Sequence, residues 1–150
     1  MVELKPVALD KAYRIFNVGG TALVSAAHEG KTDVMPATWV CPLNIEPSRV
    51  TACVDSTHYT RPLIEKSGYF ALALPTKAIA RETLYLGSVS KNDEPEKLEK
   101  SGAKFFAMDG WDIPFVEGCA AYVIYKVIPE AHIEKAYDLF VGEAVAAWAD

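Results

Sequence analysis

Apolar residues along this chain fall into short runs that are separated by polar stretches containing glycine or proline. The runs that predict strands are residues 21–27, 34–40, 49–54, 69–74, 119–128 and 139–148. Residues 28–33 carry Gly30 among polar side chains and predict a hairpin turn between the first two strands. Several short strands at this spacing favour a barrel or a sandwich over alternating strands and helices. We therefore expect a mainly β protein.

Helical spacing occurs in few places, so we expect only a few short helices. The first begins near Arg61, with Thr60 as its N-cap, Pro62 in its first turn and Gly68 just past its end. Two further helices and one charged connector are predicted at residues 76–88, 94–101 and 129–138, respectively. The sequence contains no repeat and no internal boundary, which predicts a single domain over the whole chain.

Composition narrows the class of protein. With 150 residues, 51% of them apolar, the chain can bury a core of its own. Its net charge of −5 argues against a nucleic-acid-binding protein, but an anionic small ligand remains open, since backbone N–H groups can hold a phosphate. No apolar run approaches the roughly 20 residues of a membrane span, and residues 1–13 lack the pattern of a signal peptide. Cys41, Cys53 and Cys119 are scattered and odd in number, which indicates reduced thiols in a cytoplasmic protein.

Motifs for several common chemistries are absent from the sequence. It has no G-x-G-x-x-G, Walker loop, C-x-x-C pair, G-x-S-x-G elbow or histidine pair at i, i+4 spacing. His28, His58 and His132 lie in separate connectors, where a lone histidine is usually a solvated surface residue. We therefore predict neither a metal site nor a catalytic side chain.

The stretch "DSTHYTRPLIEKSG", residues 55–68, places hydroxyl groups at a strand-to-helix turn. The polar side chains near the expected helix start are Ser56, Thr57, Tyr59, Thr60 and Arg61. Free N–H groups at a helix start, the helix dipole and an arginine together make an anion site. The alternative is that Thr60 merely caps the helix and the other hydroxyls are ordinary loop residues.

A second candidate segment is "MPATWVCPLNIEPSRV", residues 35–50. Pro42 cannot donate to a sheet, so we expect it to free the backbone just after Trp39. The amides of Thr38, Val40 and Cys41 would then be available to the polar edge of a flat heterocycle. The alternative is that Trp39 is a core residue whose indole N–H has found a partner.

The order of these segments resembles the flavin reductase-like, flavoredoxin-type FMN-binding split barrels. In residues 21–75 the resemblance rests on Met35, Ala37, Thr38, Trp39, Pro42, Pro47, Val50, Tyr59, Thr60, Ile64, Gly68 and Phe70. Later segments resemble the family's serine-containing loop and closing strands through Ser90, Lys97, Gly142 and Glu143. The resemblance covers nearly the whole chain, and it is the order and spacing of the motifs that carry it.

This resemblance implies a split β-barrel of Greek-key type that forms a homodimer and binds FMN near the dimer interface. It implies that the backbone of residues 37–41 lies along the isoalloxazine ring and that residues 56–61 hold the ribityl phosphate. The residues so assigned to the cofactor are Ala37, Thr38, Trp39, Val40, Cys41, Ser56, Thr57, Tyr59, Thr60, Arg61 and Ser90.

Three functions follow as candidates. The first is an NAD(P)H:flavin oxidoreductase, and the second is a flavoredoxin-type electron carrier that serves a partner protein. The third is a β-barrel that binds another small ligand without redox chemistry. Many members of the family continue past the position of Asp150 with aromatic and histidine residues near the nicotinamide side. If the chain ends at Asp150, we expect NAD(P)H to reduce the flavin only slowly.

Overall fold

The computed structural model describes residues 20–149, so the prediction for residues 1–13 lies outside the described residues. The strands are β1 (Ala22–His28), β2 (Lys31–Ala37), β3 (Val40–Asn44), β4 (Arg49–Cys53), β5 (Tyr69–Pro75), β6 (Phe105–Phe106), β7 (Phe115–Val116), β8 (Cys119–Ile128) and β9 (Leu139–Ala149). The α-helices are α1 (Thr60–Ser67), α2 (Ala80–Ser88), α3 (Lys97–Lys100) and α4 (Ala131–Tyr137). A 3₁₀ turn, Lys77–Ile79, leads into α2.

Seven of the strands form one antiparallel sheet in the order β2-β1-β5-β8-β9-β4-β3, and β6 pairs with β7. The chain is therefore mainly β with a few short helices, as predicted. Glu29 and Gly30 connect β1 to β2 with φ angles of 49° and 75°, a backbone that suits the twist of a two-residue hairpin. The predicted hairpin is confirmed, and its turn is shorter than residues 28–33.

The break near the tryptophan lies earlier in the chain than predicted. Thr38 and Trp39 separate β2 from β3, whereas Pro42 lies inside β3 and is paired with β4. The prediction that Pro42 frees the backbone was wrong. β3 is at the edge of the sheet, where a proline need not donate to a neighbouring strand.

The helix predictions were partly wrong at the helix ends. Thr60 is the first residue of α1, and Tyr59 occupies the N-cap position without a side-chain cap. Gly68 closes α1 as predicted, with φ of 74° and its N–H donating to Ile64 O. The connector of residues 129–138 contains α4, whose alanine, glutamate and lysine residues favour a helix. No helix between residues 20 and 149 is long and apolar enough to cross a bilayer.

The core fixes α1 against the sheet. Ile64 of α1 packs with Val24, Phe70 and Phe140 in one apolar cluster. β9 passes this cluster at Gly142, where a Cβ would lie only 2.6 Å from Phe70 Cζ. A second cluster contains Ala27, Ala71, Ile113, Phe115 and Ile124. α1 also packs on β1 and β2, and its first residue, Thr60, is bonded to Asp33 of β2.

Candidate functional site

Two adjoining cavities share the side chains of Met35, Pro36 and His58. We call them the strand-end cavity, of about 310 Å³, and the loop cavity, of about 300 Å³, and together they form the groove. The strand-end cavity is lined by Met35, Pro36, Ala37, Thr38, Trp39, Cys53, Asp55, His58, Tyr137 and Asp138. The loop cavity is lined by Asp33, Met35, Pro36, His58, Tyr59, Leu86, Gly87, Ser88, Val89, Ser90, Lys91, Asp93 and Lys97. Volumes of roughly 300–1,000 Å³ are typical of small-molecule sites.

The break between β2 and β3 forms one wall of the strand-end cavity. Trp39 O accepts the N–H of Cys53 at 3.0 Å, which ties the break to the end of β4. The Trp39 side chain is 55% exposed, so it is not the core residue that the alternative interpretation required. The wall therefore presents backbone and an accessible aromatic ring side by side.

The corner between α4 and β9 forms the facing part of this cavity. Asp138 adopts a left-handed backbone with φ of 55°, and its carbonyl oxygen accepts the N–H of Val54 at 2.9 Å. Cys53 Sγ lies 3.5 Å from Tyr137 O and donates to it. Burial, and secondly the negative charge of Asp138, raise the pKa of the Cys53 thiol. This thiol therefore lines the cavity in its neutral form at neutral pH.

The loop cavity depends on close packing of α2 against β2. A Cβ at Gly87 would lie 2.6 Å from Pro36 Cγ, so a glycine is needed where α2 passes the wall that both cavities share. Just after α2, the Lys91 ammonium donates to Thr32 O at 2.7 Å and lies 5.6 Å from the centre of the Tyr59 ring. An ammonium has three donors, so this carbonyl does not exhaust it.

A buried ion pair forms part of the wall of the loop cavity. Lys97 Nζ is 3.1 Å from Asp33 Oδ1, and the Thr60 hydroxyl donates to Asp33 Oδ2 at 2.7 Å. All three residues are at most 2% exposed. The charge of Lys97 is thus matched inside the protein, and the Thr60 hydroxyl is engaged by Asp33.

Arg61 is likewise turned into the protein. Its guanidinium donates to Val54 O, Asp138 Oδ1 and Glu134 O at 2.7–2.9 Å, and to Glu65 at 2.8 Å. Burial alone would lower the pKa of Arg61, but the hydrogen bonds to Glu65 and Asp138 outweigh burial and raise it. The guanidinium of the predicted phosphate-binding arginine is therefore engaged by carboxylate and carbonyl groups of the protein.

In the turn before α1, the Thr57 hydroxyl is also bonded within the protein. Thr57 donates to Asp55 Oδ1 through both its backbone N–H, at 2.8 Å, and its hydroxyl, at 2.6 Å. These two hydrogen bonds lower the pKa of the Asp55 carboxyl. Asn92 Nδ2 donates to Thr57 O at 2.9 Å, which links this turn to the segment that follows α2.

The structure brings only part of the predicted site together. Predicted residues in the groove walls are Ala37, Thr38, Trp39, Tyr59 and Ser90. Predicted residues outside the walls are Val40, Cys41, Ser56, Thr57, Thr60 and Arg61. Sequence reasoning missed Pro36, His58 and Lys91, although His58 and Lys91 directly adjoin predicted residues and that adjacency was an available signal. Among residues 20–149, no three His, Cys, Asp or Glu side chains are grouped so as to hold a metal ion.

The groove suits an elongated ligand with one flat end and one anionic end. Met35 and Pro36 give it an apolar middle, and Trp39 adds an aromatic face at the strand-end cavity. Among the described residues 20–149, Lys91 is the cation lining the loop cavity that has no carboxylate partner, and Asp93 adds one negative charge to the same wall. An anion would therefore lie on the Lys91 side of the loop cavity.

Comparison with known proteins identifies the class to which this fold belongs. The model of the flavin reductase like domain matches residues 16–150, and the chain belongs to this family. Its fold is the split barrel of flavin reductases, as predicted.

Individual relatives agree with this assignment. The chain is 34% identical to the uncharacterized protein YddH of Escherichia coli (strain K12), over 100% of this chain and 80% of YddH. An FMN-binding domain of a flavin reductases-like enzyme from Shewanella baltica is 44% identical with a TM-score of 0.85, over 96% of this chain and 75% of that chain. A flavoredoxin from Methanosarcina acetivorans is 25% identical with a TM-score of 0.78, over 99% and 76%, respectively.

Proposed function

We propose that this protein is an FMN-binding oxidoreductase of the flavin reductase like family. The observation that carries the proposal is the groove itself, in which an accessible aromatic wall at Trp39 continues into a cavity that holds the Lys91 ammonium. A flavin has a flat ring at one end and a phosphate at the other, so both ends match. The 44% identity to an FMN-binding domain from Shewanella baltica also supports FMN.

Within this proposal the isoalloxazine ring lies along Ala37, Thr38 and Trp39. The phosphate lies near Tyr59, Ser90 and Lys91, where a hydroxyl and an ammonium can donate to it. Contacts from Val40, Cys41, Ser56 and Thr57 stay predictions. Thr60 and Arg61 are not assigned to the ligand, because their side chains are committed inside the protein.

The division of work between cofactor and protein follows from this placement. FMN supplies the redox chemistry, and the chain supplies binding, orientation and local charge. Met35 and Pro36 give the middle of the groove an apolar lining. The neutral Cys53 thiol adds no charge near the ring. Whether electrons come from NAD(P)H or from a partner protein distinguishes a reductase from a flavoredoxin-type carrier.

A homodimer is part of the proposal. Leu43 and Ile45 at the edge strand β3 are 54% and 92% exposed, and Val145 and Trp148 of β9 are also accessible. Such exposed apolar side chains are typical of surfaces that bind another chain. Gel filtration with light scattering should give the mass of two chains at micromolar concentration, and the mass of one chain in the presence of FMN would contradict a shared interface.

The test of the proposed function is retention of FMN. Protein incubated with excess FMN and then desalted should keep the yellow flavin spectrum, at about one flavin per chain. A colourless product without quenching of flavin fluorescence would favour a barrel for another ligand. Stopped-flow mixing of the yellow protein with NADH and with NADPH then separates the two redox roles. Bleaching within milliseconds to seconds indicates a reductase, and slow bleaching indicates a carrier.

A further inference from the structure

The helix α4 has little packing of its own to hold it in place. It has seven residues, none of them buried, and a helix this short is not stable by itself in water. Its last residue, Tyr137, and the following Asp138 nevertheless line the strand-end cavity. Something other than apolar burial must therefore fix this part of the groove.

The guanidinium of Arg61 provides such a link. Nη2 donates to Glu134 O inside α4 at 2.9 Å, and Nη1 donates to Asp138 Oδ1 at 2.7 Å and to Val54 O at 2.8 Å. The side chain is 7% exposed, and its Cζ lies 4.7 Å from the centre of the Phe140 ring. One planar group thus joins α1, the end of β4, and α4 with its C-terminal corner.

We propose that Arg61 is a positioning residue of the groove, which holds the corner of Tyr137 and Asp138 against the strand-end cavity. Since α1 directly follows His58 and Tyr59, both of which line the groove, this link also couples the corner to the other cavity. The inference rests on the proposed function only where it concerns flavin. The position of the corner is a property of the flavin-free protein as well.

Hydrogen exchange of the flavin-free protein tests the link directly. Arg61→Lys keeps the charge but loses the planar fork of donors. We expect the amides of α4, and the Val54 N–H that is bonded to Asp138 O, to exchange roughly 10- to 100-fold faster, as for one lost hydrogen bond to a charged group. Amides of the β1–β2 hairpin should exchange at the wild-type rate. Unchanged exchange in α4 would overturn the proposal.

The matched control is Arg49→Lys. Arg49 pairs with Glu143 across β4 and β9 at 2.8 Å, but it lines neither cavity of the groove. The Arg49→Lys variant should leave the α4 amides at their wild-type exchange rate. If the α4 amides exchanged as fast in this variant as in Arg61→Lys, the proposal would also be overturned. If Arg61→Lys does not fold, Asp138→Asn removes the negative charge of one partner of the guanidinium and weakens that hydrogen bond, while it retains a residue type that tolerates a left-handed backbone. Its α4 amides should also exchange faster, and wild-type rates there would contradict the link.

Flavin-binding measurements distinguish a positioning role of Arg61 from a direct contact between Arg61 and the phosphate. If Arg61 positions a wall that both ligands touch, Arg61→Lys should weaken FMN and riboflavin by the same factor. A loss confined to FMN would mean that Arg61 contacts the phosphate, and it would overturn the positioning role. If the wild-type protein binds neither flavin, the proposed function fails, while the exchange experiment still decides the role of Arg61.

Discussion

Residues 37–39 and residues 60–61 both lie beside the groove, but their side chains serve different purposes. Ala37, Thr38 and Trp39 line the strand-end cavity at the break between two strands. Thr60 and Arg61 begin α1 and are at most 6% exposed, with their polar groups bonded to Asp33 and Asp138, among others. The first segment is accessible to a ligand, and the second holds the walls that surround it.

The difference shows that several polar groups at a helix start are not enough to predict an anion-binding site. A hydroxyl or a guanidinium at such a position can bind an anion, but it can equally satisfy a buried carboxylate or carbonyl. Burial decides between the two roles. Within the part of the chain that the structure describes, the cation lining the groove without a carboxylate partner is Lys91, which follows α2 and not α1.

Removing the buried Asp33 carboxylate from the wall of the loop cavity should have the largest effect. Asp33→Ala leaves the Lys97 ammonium buried without its partner, which costs about 3–5 kcal/mol of unfolding free energy. Urea unfolding measures the loss. The double variant Asp33→Leu, Lys97→Met should recover most of it, since a buried ion pair can be replaced by apolar residues of similar size. If Asp33→Ala lowered the free energy of unfolding no more than a substitution of an exposed residue does, the result would contradict a buried ion pair between Asp33 and Lys97.

Thr60→Val should lower stability without selecting between flavins. The variant keeps the shape of the side chain but leaves Asp33 Oδ2 without its donor, which costs about 1–3 kcal/mol. Titration of FMN and of riboflavin, at a temperature where the variant is folded, should show equal weakening. If only FMN binding weakened, the Thr60 hydroxyl would contact the phosphate. Residues 60–61 would then bind the ligand just as residues 37–39 do, and the contrast between the two segments would be wrong.

Lys91→Met should show the opposite pattern. We expect FMN binding to weaken by about 1.5 kcal/mol, roughly tenfold, while riboflavin binding stays at the wild-type value. This is the low end for a hydrogen bond to a charged group, because Lys91 is only partly buried. The urea midpoint should fall slightly, because the variant also loses the hydrogen bond from Lys91 to Thr32 O. Lys100→Met is the matched control, since Lys100 pairs with Glu94 and Glu96 and does not line the groove. Equal FMN loss in both variants would indicate general electrostatics and not a site.

The turn before α1 should give the smallest effect, and it should depend on pH. The folded protein lowers the pKa of Asp55, chiefly through the Thr57 hydroxyl, so its contribution is present above the ordinary carboxyl pKa of about 3.9 and is lost as the pH falls through the lowered value. Asp55→Asn should therefore melt slightly below wild type at pH 7, and the two should converge in acid. A constant difference across this range would show that the charge of Asp55 is not involved.

Much of the fold could be predicted from the sequence, because its signals are local. The β-rich apolar run that forms β8 and the glycine that closes α1 can be recognised from residue types and turn chemistry within a few residues. α4 was missed because its polar surface resembles a connector, and it is held by Arg61, some 70 positions away in the chain. Two other features also depend on residues that are far apart in the chain, and local sequence patterns therefore do not reveal them. They are the position of β3 at the edge of the sheet and the hydrogen bond between Thr60 and Asp33.

A crystal structure of the protein grown with FMN tests the central claim most directly. We expect the isoalloxazine ring against residues 37–39, with the phosphate within hydrogen-bond distance of Lys91 Nζ and with Thr60 and Arg61 still bonded to Asp33 and Asp138. A phosphate bound by the Thr60 hydroxyl or the Arg61 guanidinium, or an FMN bound outside the groove, would contradict it.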